Sequence, residues 1–351
     1  MNLLYSEIEE ELRASVRDLL ADHSPIDQVL ARVEGPAVYD PALWRSLTAL
    51  GATALQVPEE FGGAGASLRE TALVMEELGR SLAPVPFLGS AVLATTALLT
   101  AGHGAALDLT AATLAVPFST APGRPFTPSV RVGADGTLSG RVTSVADALT
   151  ADLLVVPVEG GGLQVVETGF TRAPRVSLDL TRPLADLTFD RTPARPLTED
   201  PAVLAQSLLT GAGLLASEQL GIAEWCLAAT VEHLRQRRQF NRPLGSFQAL
   251  KHRLADLWLE VVGARAAARA AADALAAGSA QAPVAVAVAA SHCGTVAVRA
   301  AEECVQLHGG IGMTWEHPVH LYLKRAKADQ LALGTPGQHR AVLAGLVNLP
   351  A

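Results

Sequence analysis

Cysteine is scarce in this 351-residue chain, and the three present (Cys226, Cys293 and Cys304) match neither a metal-ligand spacing nor a disulfide framework. Reduced, buried thiols in a cytoplasmic protein are expected. Positive charge is also short: 27 Lys and Arg against 35 Asp and Glu leave a net charge of −8, which offers nucleic acid little to bind. No apolar stretch combines the length and freedom from charge needed to cross a bilayer, so no membrane insertion is expected. The opening "MNLLYSEIEEELRASVRDLL" is acidic and amphipathic, unlike a signal peptide. Repeats of solenoid length are absent. His308, His317 and His320 have no carboxylate or cysteine constellation around them, so they read as packing or exposed histidines rather than metal ligands.

What is present is a globular composition, 49% hydrophobic and 18% charged, long enough for two or three packed modules. Residues 1–110 read as helical: Leu4, Ile8, Leu12, Val16, Leu19 and Leu20 recur at helical spacing, and Leu43, Leu47 and Leu50 continue the pattern. Ser67 followed by Glu70 has capping-box spacing and opens a helix over 68–80, closed by Pro84 and Pro86. Residues 111–198 change to short apolar runs between turn signals, which predicts antiparallel strands and hairpins. Gly160–Gly162 lack the strand–loop–helix context of a phosphate loop and read as a hairpin turn. Residues 199–351 return to long helical patterns. Leu250, Leu254, Leu257, Trp258 and Val261 form one stripe, and the Val/Ala-rich stretch after 282 reads as a buried helix by its length, with a local strand possible.

Two segments carry chemistry. In "RQRRQFNRPLGSFQALKHRLADL", Arg235, Arg237, Arg238 and Arg242 crowd a helix end ahead of Ser246, a candidate N-cap. Arginine forks beside a helix N-terminus suit a pyrophosphate; a solvated basic patch at a helix C-terminus is the plainer alternative. In "VQLHGGIGMTWEH", Gly309, Gly310 and Gly312 permit close approach by a ligand or simply end a helix.

The two segments in this order, with "VPEEFGGAGASLRETALVMEELGRSLAPVP" upstream, resemble the acyl-CoA dehydrogenase family. The resemblance is strong in the outer thirds and weak in the middle. It implies an α+β fold of N-terminal helical domain, small β-barrel domain and C-terminal four-helix bundle. It also implies FAD, held at a subunit interface, and an acyl-CoA substrate dehydrogenated to the trans-2-enoyl-CoA by a carboxylate base and the flavin, with an electron acceptor downstream. By resemblance, Arg237, Gln239, Phe240, Phe247, Gln248, Gln306, Leu307, His308, Gly309 and Gly310 reach across to a neighbour's flavin. Phe247 stands where many relatives have His.

The groups for the chain's own flavin are eroded. "AVPFSTAPGRPF" replaces the family's "TEPGAGSD"-like segment, and Ser144, Val145 and Ala146 replace a "WIT" segment. The family base sits either before Gly-Thr, here Leu333, or about 29 residues ahead of the Phe of the Arg segment, here Gly211 or its neighbour Thr210, with Ala212 at an adjacent Arg position. Neither leucine nor glycine can take a proton. Glu316 is the one candidate substitute, with helix capping or ion pairing as its structural alternative. The pattern resembles the short, base-less subunit of actinobacterial heteromeric, steroid side-chain-type enzymes, which pairs with a complete subunit as α2β2. A self-sufficient homo-oligomer with a displaced base, and a non-redox structural or CoA-binding protein, are the alternatives.

Overall fold

The computed structural model describes residues 3–35, 39–103 and 111–348. The expected domain boundary after residue 110 abuts 104–110, which lie outside the described residues. Helix α1 (Glu7–His23) is opened by a Ser6/Glu9 capping box. Its inward face carries Glu9, Val16 and Leu20, while Leu4 and Ile8, expected on the same stripe, are exposed. Ion pairs choose the face: Arg13 binds Glu76 and Glu77, and Arg17 binds Glu77, all on α4. Helices α2 (Ile26–Val33) and α3 (Pro41–Ala49) follow. Helix α4 (Leu68–Ser81) begins with the expected Ser67/Glu70 box and ends at Leu82, whose φ is 50°. A π-helical turn (Leu88–Ala94) then runs into α5 (Thr95–Thr100).

The middle of the chain forms two four-stranded sheets. One has the order β1 (Ala112–Leu114), β4 (Leu153–Pro157), β5 (Leu163–Val166), β8 (Arg195–Thr198). The other runs β2 (Val130–Val132), β3 (Leu138–Ala146), β7 (Leu184–Thr192), β6 (Phe170–Arg175). Gly160–Gly162, all at positive φ, turn between β4 and β5 as expected. The expected barrel is corrected: among the described residues no sheet closes. Closure needs hydrogen bonds between edges, yet β1 is a three-residue edge strand and β6 turns five of its six residues to solvent. The sheets instead face each other over Val130, Leu138, Val142, Leu154, Val156, Leu187 and Phe189. Pairing is not all antiparallel either, because β1 lies parallel to β4.

Three long helices, α6 (Pro201–Gln236), α7 (Gln248–Ala276) and α8 (Ala282–His308), pack together with the shorter α9 (Val319–Leu331) and α10 (Pro336–Leu346). A small ribbon, β9 (Arg238–Gln239) with β10 (Arg242–Pro243), links α6 to α7. Ser246 does not cap α7: it lies in a 3-10 turn and its Oγ donates to the Pro243 carbonyl, leaving Phe247 at the cap position. Trp258 leaves the expected apolar stripe and is exposed. Contrary to expectation, Ala282–Met313 is long and apolar enough to cross a membrane, but most of it is buried inside this bundle.

Helices α4 and α6 touch backbone to backbone. A Cβ on Gly79 would overlap the Glu218 carbonyl, and one on Gly221 would overlap that of Glu76. At this crossing Glu218 turns its carboxylate into a buried cluster, accepting from Arg182 (2.6 Å) and from Arg325 (2.5 Å). Arg182 also binds Asp329 (2.7 Å), and Arg325 also binds Asp179 and Thr181. The cluster thus ties the loop after β6 to α6 and α9. Two guanidinium groups face three carboxyls, so one protonated carboxyl balances the charge. Burial, then the neighbouring Glu218 charge, push Asp329 well above the carboxylate range. Burial opposes ionisation of Glu218 as well, but Arg182 and Arg325 overcome it and hold its pKa low.

A raised folded-state pKa gives stability that is present below the unfolded value and lost as pH rises through the folded value. Asp329→Asn, an isostere of the protonated acid, is therefore expected to cost little and to flatten any loss of stability above neutral pH. Glu218→Gln, which strands two buried cations, is expected to cost about 3–5 kcal/mol. Urea denaturation of both variants at two pH values checks the assignment; equal losses would contradict it.

Candidate functional site

The Arg segment folds as an exposed hairpin. Arg237 leaves α6 in an extended conformation, its N–H on the His233 carbonyl (2.8 Å) and its own carbonyl accepting from Leu244 N–H (2.8 Å). Phe240 and Asn241 occupy the two-residue turn with φ of 51° and 59°, the mirror-image geometry that suits a tight hairpin but strains phenylalanine. Phe240 is 85% exposed there. Arg237, Gln239 and Gln248 are exposed, and Gln239 Nε2 donates to the Arg238 carbonyl. The Arg242 guanidinium lies 3.8 Å above the centroid of Phe247, and Phe240 meets that ring edge-on at 6.0 Å. Among the described residues Arg237, Arg238 and Arg242 have no carboxylate partner; Arg238 reaches only the Asn241 carbonyl.

The Gly segment lies at the same end of the bundle, because the rings of His233 on α6 and His308 on α8 stack 4.3 Å apart. Gln306, Gly309 and Gly310 are exposed, and a Cβ at either glycine would meet nothing within 4 Å. The space is open, as a ligand's approach requires. Leu307 is half-buried, whereas the His308 ring is buried, with Nδ1 on the Cys304 carbonyl (2.7 Å) and His317 on its other side at 4.6 Å. His308 can thus offer a ligand only its backbone. Burial, then His308 itself, lower His233 and His317; burial opposes the His308 charge too, but the Cys304 thiol and carbonyl raise it. This histidine column had no signal in the sequence beyond three scattered residues.

The segments for the chain's own flavin converge elsewhere. Phe118 and Ser119 face Ser144, Arg182 and Leu331 around a pocket of about 300 Å³. Its backbone groups are already spent. Phe118 N–H donates to the Ser144 carbonyl (3.0 Å), Ser144 N–H to Asp186 (2.9 Å), and Leu333 N–H to the Phe118 carbonyl (2.7 Å). The guanidinium in the wall, Arg182, belongs to the buried ion cluster. A flavin ring needs free donors at its polar edge, so these residues do not fit it. The hairpin and Gly turn, with unpaired cations and open backbone, do fit a dinucleotide's phosphates.

The two positions for a base meet one another. Leu333 is fully buried, and a Cβ on Gly211 would lie 3.1 Å from Leu333 Cδ1 and would overlap Leu93 of the π-helical turn. Leu93 is held there by Ser207, whose Oγ donates to its carbonyl (2.7 Å). The locus is packed hydrocarbon. Glu316 is exposed, its pKa lowered by its own N–H and then by the Thr314 hydroxyl, and it makes no ion pair among the described residues. Helix α9 begins at Pro318 without a side-chain cap, so Glu316 does not cap it.

A helical front, two facing sheets and a long-helix bundle with a cationic end define an acyl-CoA dehydrogenase-type architecture. Family models for the acyl-CoA dehydrogenase N-terminal and C-terminal domains match residues 6–106 and 202–346. The chain is 40% identical over 327 residues to acyl-CoA dehydrogenase IpdE2 of Mycobacterium tuberculosis, covering 93% of this chain and 92% of that protein. Its structure is similar to the ChsE4–ChsE5 complex from Mycobacterium tuberculosis (TM-score 0.88, 28% identity, 100% of both chains). It is similar as well to the Tcur3481–Tcur3483 steroid ACAD G363A variant (TM-score 0.86, 29% identity, 97% and 98% covered). The chain belongs to the acyl-CoA dehydrogenase family, whose members are FAD-dependent oxidoreductases.

Leu333→Glu is expected to destabilise the fold by about 3 kcal/mol, because the new carboxylate has no partner among Leu93, Gly211 and Phe118. Its raised pKa makes the loss grow between about pH 5 and pH 8. Urea midpoints that match the parent at both pH values would show that the locus is not dry.

Proposed function

We propose that this chain is the base-less subunit of a heteromeric acyl-CoA dehydrogenase and completes a flavin site held mainly by a second, complete subunit. The observation that carries this is the meeting of Gly211, Leu333 and Leu93: both places for a base are occupied by hydrocarbon. Leucine and glycine hold no proton at any pH, and Glu316 points to water. Bound FAD supplies the hydride acceptor that no side chain can provide. This chain's part is to bind and orient. Arg237 forks onto the pyrophosphate, the open backbone of Gly309 and Gly310 lies against the dinucleotide, and Gln248 and Gln306 offer amide groups at its rim.

The likeness to the ChsE4–ChsE5 complex and to a steroid ACAD supports an assembly of two unlike subunits, α2β2, and a CoA thioester bearing a steroid-derived group as substrate. The reaction is then α,β-dehydrogenation to the enoyl-CoA, with proton abstraction by the partner. Exposed Phe240, Trp258, Leu259, Met313 and Trp315 fit a surface that a partner covers. Three buried, unpaired cysteines fit a cytoplasmic setting.

Arg237→Ala should weaken FAD binding by the assembled complex about 10- to 150-fold, the worth of a charged hydrogen bond to phosphate. Arg237→Lys should recover part of it, since a point charge cannot form the fork. Flavin release on dilution, followed by fluorescence, reads both; unchanged affinity in Arg237→Ala would remove the basis for the cofactor role. Glu316→Gln should leave most of the turnover of the complex, whereas a loss of about 100-fold or more would make Glu316 the base and this chain self-sufficient.

A further inference from the structure

Arg242 is a solvent-exposed cation with no carboxylate partner among the described residues, yet it is not loose. Its guanidinium lies flat enough on Phe247 to bring Cζ within 3.8 Å of the ring centroid, and Phe240 braces that ring at 6.0 Å with an interplanar angle of 76°. A guanidinium stacked on a ring loses rotational freedom, and its outer face becomes a preset planar surface. Arg237 and Arg238, also unpaired with any carboxylate, bring two further positive charges into the same hairpin. The hairpin therefore joins a flat cation to a patch of uncommitted positive charge. That is the chemistry for a planar, electron-rich base joined to phosphates. A phosphate alone would use the charges and leave the plane idle. Gln248, one residue beyond Phe247 and exposed, adds an amide within reach of a base edge.

We propose that Arg242, laid on Phe247, is the shelf on which the adenine of a nucleotide diphosphate stacks, so that this chain recognises the ADP half of FAD by its base as well as by its phosphates. The inference rests on the cofactor role proposed above for this hairpin. Arg242 then acts as a positioning residue: the stack sets how far along the hairpin the dinucleotide lies, and Arg237 takes the pyrophosphate.

The test titrates the full chain, and separately its complex with the complete subunit, with ADP and with inorganic pyrophosphate by calorimetry. The parent is expected to prefer ADP over pyrophosphate. Arg242→Lys keeps the charge and loses the plane; it should weaken ADP about 5- to 100-fold, the range for loss of a base-stacking side chain, and change pyrophosphate by less than about twofold. Phe247→Tyr, which keeps the shelf, should retain the preference. Equal affinity for ADP and pyrophosphate, no binding of either, or full ADP affinity in Arg242→Lys overturns the proposal. Arg237→Ala separates the two readings. If it weakens both ligands while Arg242→Lys changes neither, the cofactor role stands and the shelf falls; if it changes neither ligand, the cofactor role itself falls.

Discussion

Glu218 is fixed twice over, and most of the molecule is arranged around that fact. Its backbone carbonyl presses on α4 where only Gly79 fits, and its carboxylate holds Arg182 from the sheets and Arg325 from α9. One residue thereby locks α6 to the helical front, to the sheet region and to its own bundle. Burying five ionisable groups is expensive, and such clusters seldom add net stability over apolar packing. What this one supplies is geometry: α6 has one position, and α6 carries both Gly211 and, at its end, Arg237.

From that fixed helix the two faces of the molecule follow. Midway along α6, Gly211 leaves a gap that Leu93 enters and Leu333 closes, and the neighbouring backbone donors of Phe118 and Ser144 are spent within the chain. At the helix end the opposite holds. Arg237, Arg238 and Arg242 lack carboxylate partners, Phe240 stands in water at a strained φ, and Gly309 and Gly310 leave open space. Polar satisfaction inside one site and its absence at the other is the contrast expected of a chain that serves a site beyond its own surface.

Local chemistry was legible in the sequence. The Ser67/Glu70 box is decided within four residues, the Gly160–Gly162 turn by φ alone, and the helix after 282 by length. The base-less positions could be named because Leu333 sits beside an unmistakable Gly-Thr. Features set by distant partners were not legible. The face of α1 is chosen by Arg13 and Arg17 finding Glu76 and Glu77 more than forty residues away, so Ile8 was misplaced. The open sheets depend on edge strands too short to pair, and the intrusion of Leu93 at Gly211 depends on a π-helical turn with no sequence signature. Arg242 was visible only as one more arginine; its place on Phe247 needs the hairpin to close.

The central claim is that this chain contributes to a flavin site without containing one. Flavin content measures it directly, by absorbance after denaturation, for the chain purified alone and for the chain co-purified with a complete dehydrogenase subunit. The account predicts almost no FAD on the isolated chain and one FAD for each pair of unlike subunits in the complex. Near-stoichiometric FAD on the isolated chain would contradict it.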